Sequence, residues 1–183
     1  MALYEAKDPK RADWADWLWQ NHVWLVAQYA RQLAEQHGAN GELAEASAWL
    51  HDIADTCMSR FDDTHEAVTL RIARDLLAES GYAEADIAVI VDDAILLHGC
   101  HEGRRPASME GQILATADAL AHLKTDFYVY AAWALGHEGK DLASVKAYVL
   151  QKSARDFTQK ICFDMIRTAT RPDYDLIQQL FSR

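Results

Sequence analysis

Basic residues are scarce in this chain: 18 Lys and Arg stand against 28 Asp and Glu, for a formal charge of −10. Binding to nucleic-acid polymer needs Lys and Arg to displace counterions, so that class of partner is not expected. A small phosphorylated substrate stays open, because it needs only a local positive centre, and a bound dication supplies one. Cysteine is scarce too. Cys57, Cys100 and Cys162 are odd in number and lack CxxC spacing, which argues against a disulfide scaffold and for free thiols in a reducing compartment. No apolar run reaches membrane-spanning length, since the stretch from Ile87 to Leu97 is broken by Asp92-Asp93. The N-terminus holds no apolar core of signal-peptide length, so a cytoplasmic location with no membrane partner is the expectation. Period-two alternation is missing as well, and no central sheet is expected.

What remains is helical. Half of the 183 residues are hydrophobic, Ala and Leu are abundant, and glycine (eight) and proline (three) are few. This balance points to an all-α, single-domain helical bundle, long enough to bury a core. Residues 1–12 read as a polar lead-in and 13–183 as one domain. Its motif-bearing part spans about 20–125, and C-terminal helices lie at about 140–183. Asp13 is the expected cap of a helix running to about His37 and stopped by Gly38. A second helix starts near Asn40, with Leu43, Ala46, Leu50 and Ile53 on its apolar face. Asp63 and Glu66 read as the start of a third, which ends at Gly81. Another spans about Ala83 to Leu97. Pro106 is placed to open the next, which carries Asp118 and ends by Gly136. Two or three more occupy Leu142 to Phe181, with a break near Arg171-Pro172.

Within this helical text, the dipeptide His51-Asp52 in Ala-Trp-Leu-His-Asp-Ile-Ala-Asp is the costliest feature. A carboxylate in an apolar segment costs several kcal/mol unless something compensates it, and a metal ion is the obvious partner. His22 and Asp118 sit in similar apolar settings. The four residues read His…His-Asp…Asp, drawn from three expected helices. If the helix continues past His51, Asp55 shares its face four residues on, while Asp52 is rotated by about 100 degrees. Asp55 could then accept a proton from water while His51 and Asp52 hold the metal. Two imidazoles and two carboxylates suit Mn, Fe, Co, Ni or Zn better than an all-oxygen magnesium site. Such a metal polarises a phosphoryl oxygen and acidifies water.

The order His22…His51-Asp52…Asp118 resembles the defining motif of the HD-domain superfamily of metal-dependent phosphohydrolases. Leu50-His51-Asp52-Ile53-Ala54-Asp55, His65-Glu66-Ala67 and Ala115-Thr116-Ala117-Asp118-Ala119-Leu120 extend the likeness over about residues 20 to 125. It implies an all-α bundle with one divalent metal at its centre and hydrolysis of a phosphoester or phosphoanhydride, here of a small metabolite such as a nucleotide. Asp52 and Asp55 are the expected catalytic carboxylates. Dinuclear relatives, including phosphodiesterases and di-iron oxygenases, add two histidines, and His65 and His98 can be aligned with these. The adjacent His-His and the Gly-Tyr-Pro signature of the cyclic-dinucleotide branch are absent. A nucleotide-binding module without catalysis is the third reading.

His65, His98, His101, Arg104 and Arg105 are candidates to face the substrate phosphate, the first two also to hold a second metal. Each competes with an ordinary loop side chain. His122, four residues past Asp118, is placed to hydrogen-bond it. Lys124 is poorly placed for the same face, and His37 and His137 read as helix-end residues. The spacing of Trp14, Trp17, Trp19 and Trp24 fits core packing or a homodimer contact. His98-Gly-Cys-His101 lacks the second ligand pair that a structural zinc site needs.

Overall fold

The computed structural model describes residues 2–12 and 14–183. Among them there is no strand, and the helices build a bundle around one central rod. That rod is α6 (Met109–Leu123), in which every side chain from Ile113 to Leu123 is buried. A helix apolar on all sides has nowhere to go but the middle of a bundle. Fully buried residues such as Ile113 and Leu114 each contribute about 1.5–3 kcal/mol, which offsets the cost of burying Asp118 and His122 within it.

On one side α6 packs against α2 (15–37), α3 (Gly41–Leu50) and α5 (84–95), sharing a core that includes Val26, Ala30, Leu43, Ala48 and Ile90. On the other side lie α7 (Phe127–His137), α8 (142–160) and α9 (Asp164–Phe181), with Phe127, Tyr128, Val149 and Ile161 in the second core. α4 (His65–Glu79) flanks the 3-10 turn Ile53–Thr56 that follows α3. Three helices widen into π turns, at Trp19–Val23 in α2, Ala88–Ile95 in α5 and Asp156–Lys160 in α8. π turns are uncommon and concentrate at functional sites.

α3 starts as its sequence dictates. The Asn40 side chain accepts from the backbone N–H groups of Glu42 (3.1 Å) and Leu43 (3.3 Å). Its own N–H donates to Glu110 at 2.9 Å, fastening α3 to the start of α6. Asn40→Ala is expected to cost about 1 kcal/mol, read as a lower urea midpoint, and Asn40→Gly only a few tenths. Gly38 ends α2 at φ 66°, and Ala39 N–H returns to the Ala34 carbonyl at 3.0 Å.

Several expectations are corrected. The cap role given to Asp13 lies outside the described residues. The lead-in is more than polar: within α1 (Ala2–Glu5) Tyr4 is buried, stacks on Trp19 at 4.4 Å and donates to the Asp52 carbonyl at 3.4 Å. Ahead of α4 it is Asp62, not Asp63, that takes the Thr64 N–H (2.8 Å) and hydroxyl (2.6 Å). Pro106 does not open α6; Ser108 caps it, accepting from Gly111 N–H at 3.0 Å. Pro106 instead packs on Gly111, where an added Cβ would stand 2.4 Å from the proline ring. The helix with Asp118 ends at Leu123, and α7 is separate. The C-terminal break falls between Lys160 and Asp164, where Ile161 is extended. Pro172 lies inside α9 on its exposed side, where water can serve the carbonyl it frees. No described helix is long and apolar enough to cross a membrane.

Candidate metal centre

Three elements bring the key side chains together. His22 comes from the π turn of α2, His51 from the end of α3 and Asp118 from the middle of α6. One ligand atom of each lies within 4.8 Å of the other two, and all three residues are buried. His22 Nε2 stands 3.1 Å from Asp118 Oδ1 and 3.3 Å from His51 Nε2. Asp52, the fourth expected ligand, lies beside the cluster but is not one of the three residues whose ligand atoms are all mutually close: its Oδ2 is 3.3 Å from His51 Nε2 and is bonded by Arg60.

The donor set fits a divalent metal on two counts. His51 Nδ1 lies 2.7 Å from the Ala48 carbonyl, which can only accept, so that nitrogen carries the proton and Nε2 offers its lone pair to the cluster. Asp118 Oδ1 and His22 Nδ1 are buried without a well-formed hydrogen bond, although the Nε2 atoms of His22 and His122 stand 3.1 and 3.3 Å from Oδ1. Lys160 neutralises this carboxylate through Oδ2, which leaves Oδ1, facing the imidazoles of His22 and His51, as a ligand position. Burial lowers the His22 pKa. Burial also works to lower that of His51, but Asp52, Asp118 and the bond to the Ala48 carbonyl together outweigh it and raise the value. Burial works to raise the Asp118 pKa, yet His122 and Lys160 hold it well below the usual carboxylate range.

Beside this group stands a second one. Asp55 is fully buried between His65 Nε2 (2.9 Å) and Arg60 Nη2 (2.5 Å), and the same Arg60 nitrogen bonds Asp52. Sequence reasoning reached Asp55 by assuming a continuous helix, and that reason is corrected. α3 stops at His51, Asp52 leaves helical geometry at φ −123°, and a 3-10 turn carries Asp55 inward. Arg60 was missed, being one cation in a short polar loop with no periodicity to single it out.

A model of the HD domain family matches residues 19–123, more than half of the chain. The chain belongs to the HD-domain family. No curated protein and no solved structure gives a match.

Part of this HD domain's centre comes from beyond the matched residues. Lys160, buried at the end of α8, ion-pairs with Asp118. His122 Nε2 lies 3.3 Å from Asp118 Oδ1, where sequence reasoning placed it, and burial lowers its pKa to about 3. Behind it Lys152 Nζ reaches His122 Nδ1 and Asp156 Oδ2, each at 3.1 Å, and the Tyr128 hydroxyl donates to Asp156. Lys152, Asp156 and Lys160 were missed, although their spacing of four in an otherwise amphipathic segment was a usable signal.

The loop after α5 is placed differently from residue to residue. His98 Nδ1 donates to the Ile95 carbonyl at 2.6 Å, leaving Nε2 as an acceptor, and its ring lies 5.4 Å from that of His51. Burial lowers the His98 pKa to about 4, so it is neutral. His101 is exposed, folded over Gly99 so closely that a Cβ there would stand 2.6 Å from the imidazole. Cys100 and Glu102 are left-handed at φ 50° and 55°, a strained pair at the edge of the site. Arg105 braces the loop against the Thr158 carbonyl (3.2 Å) and Gln159 (3.3 Å), so its guanidinium is already engaged there. Arg104 is exposed, its backbone N–H donates to the His101 carbonyl at 3.0 Å, and its side chain makes no ion pair with the described residues. Among the described residues, His65 and His98 do not join a carboxylate as a second set of three ligands. Burial pushes the Cys100 thiol up to about 11, and Cys100 is not among the clustered ligand residues.

Proposed function

We propose that this HD domain hydrolyses a phosphoester or phosphoanhydride bond in a small phosphorylated metabolite, with nucleotides the first substrates to try. The observation that carries the reading is the buried cluster of His22, His51 and Asp118, whose ligand atoms all lie within 4.8 Å of one another, with the Asp55–His65 pair close by through Arg60. His22, His51, Asp52 and Asp118 would hold one divalent transition metal, Mn, Fe, Co, Ni or Zn. A metal held there supplies Lewis acidity to a phosphoryl oxygen and acidifies water.

The chain's own residues do the rest. Asp55 and His65 form the proton acceptor: the attacking water bonds to phosphorus, its proton passes to this pair, and the bond to the leaving oxygen breaks, that oxygen taking up a proton. Arg60 locks the orientation of Asp55 while holding Asp52 toward the metal ligands. Burial by the apolar faces of α2, α3 and α6 keeps bulk water from the ligands and strengthens each charge interaction among them.

The test is metal content of untagged protein purified without chelator, followed by a phosphoester and nucleotide panel. One transition metal per chain is expected, with turnover that falls more than about 100-fold on metal removal and returns on reconstitution. Turnover that is undiminished in metal-free protein would overturn the reading.

A further inference from the structure

Three of the six tryptophans surround empty space instead of filling a core. Trp19, Trp24 and Trp49 wall a cavity of about 500 Å³, a volume in the range that takes a small molecule. Its cause in the sequence is the π turn of α2. On a regular helix Trp19 and Trp24 would stand about 140 degrees apart. Here the Trp24 N–H reaches back five residues to the Trp19 carbonyl, the bond of a π turn, and both indoles line the same space. Trp49 of α3 meets both, its ring centroid 5.4 Å from that of Trp19 and 5.1 Å from that of Trp24. Its ring is tilted by 44° and 59° to the two, so these indoles do not use up their faces on one another.

The lining says what fits. Tyr4 and Ile53 are buried and form the floor, while Trp24 and Leu3 are exposed and form the rim. None of the lining side chains is charged. The Tyr4 hydroxyl is engaged with the Asp52 carbonyl, and the Trp49 indole N–H with Glu45 at 3.3 Å. An ion entering here would shed water and gain no partner, which costs several kcal/mol. An aromatic ring gains apolar burial, and about 0.5–1.5 kcal/mol more for each well-placed ring contact. A second copy of the chain fits less well. Trp24 and Leu3 are the only strongly exposed large apolar side chains of this lining, whereas a stable interface buries about 800 Å² on each partner.

We infer that this tryptophan-walled cavity is a second ligand site, one that takes a small uncharged aromatic molecule of about two or three rings. It is separate from the metal centre, because none of His22, His51, Asp52 and Asp118 lines it. It is nonetheless a neighbour of that centre: Leu50 and Ile53 bracket His51-Asp52, and Trp19 shares its π turn with His22.

The experiment titrates the full chain with N-phenyl-1-naphthylamine, an uncharged probe that fluoresces in apolar surroundings. Its anionic relative 1-anilinonaphthalene-8-sulfonate serves as the charged control. Saturable uptake of about one uncharged probe per chain is expected, with the sulfonate bound at least about 10-fold more weakly. Leu76→Trp, which fills the cavity from α4, and Trp24→Ser, which removes a wall, should each weaken the uncharged probe about 10-fold or more. Leu76 is half-buried and Trp24 exposed, and unchanged melting temperatures check that both variants fold. No saturable uptake, equal binding of the two probes, or binding that neither variant weakens overturns the site. So does a wild type that sediments as a dimer, binds no probe and becomes monomeric in Trp24→Ser, a result that would assign the face to a second copy.

Discussion

Asp118→Ala is expected to lose metal retention and to destabilise the fold by about 3–5 kcal/mol, the usual cost of breaking a buried ion pair by removing one partner. The magnitude follows from what the carboxylate touches. Lys160 is buried at the end of α8 with Asp118 as its direct partner, and Asp156 is 3.9 Å away and already shared with Lys152. Without Asp118 the ammonium must either stay charged in an apolar setting or give up its proton. Adding Lys160→Met removes that cost, because a chain of similar volume replaces the stranded charge. The double variant is therefore expected to regain most of the lost stability while still failing to hold metal. Urea unfolding of the four proteins, with metal analysis of each, separates the two roles. A double variant no more stable than Asp118→Ala would show that Lys160 is not held by this pair.

Asp52→Asn acts on turnover rather than on the fold. The amide keeps the shape of the carboxylate but removes its charge and sets an N–H group against the Arg60 guanidinium. Arg60 retains Asp55 at 2.5 Å, so the loss in stability should stay near 1–3 kcal/mol. A metal contributes several kcal/mol to transition-state stabilisation in phosphoryl chemistry, and each 1.36 kcal/mol is tenfold in rate. Turnover should fall by about three orders of magnitude, with metal occupancy reduced and the helical circular-dichroism signal unchanged. Full activity and full occupancy in this variant would remove Asp52 from the centre.

The helical class was legible because apolar periodicity and the lack of alternation are averages over many residues. The end of α2 and the start of α3 were legible for a local reason, since Gly38 and Asn40 act through bonds to their own neighbours. The order His22, His51-Asp52, Asp118 was legible because charged or ligating residues inside apolar text are conspicuous. Other features depended on events that a helical wheel does not contain. The π turns at Trp19–Val23 and Asp156–Lys160 change which side chains share a face, and the early stop of α3 carries Asp55 inward by a 3-10 turn. Arg60 and Lys160 reach the centre across distances in sequence of eight and 42 residues from their partners. Pro106 looked like a helix start because proline fits that position, yet the space over Gly111 decided its place.

The pairing of Lys160 with Asp118 also bears on how the molecule comes into being. Synthesis delivers α2, α3 and α6 first, and with them His22, His51, Asp52 and Asp118. Arg60 arrives early enough to balance Asp52 and Asp55, but Asp118 waits for the last stretch of α8. The region that the family shares is thus completed electrostatically by a segment outside it. Chain order leaves the carboxylate of the central rod waiting for the final turns of α8, which act as its fastening.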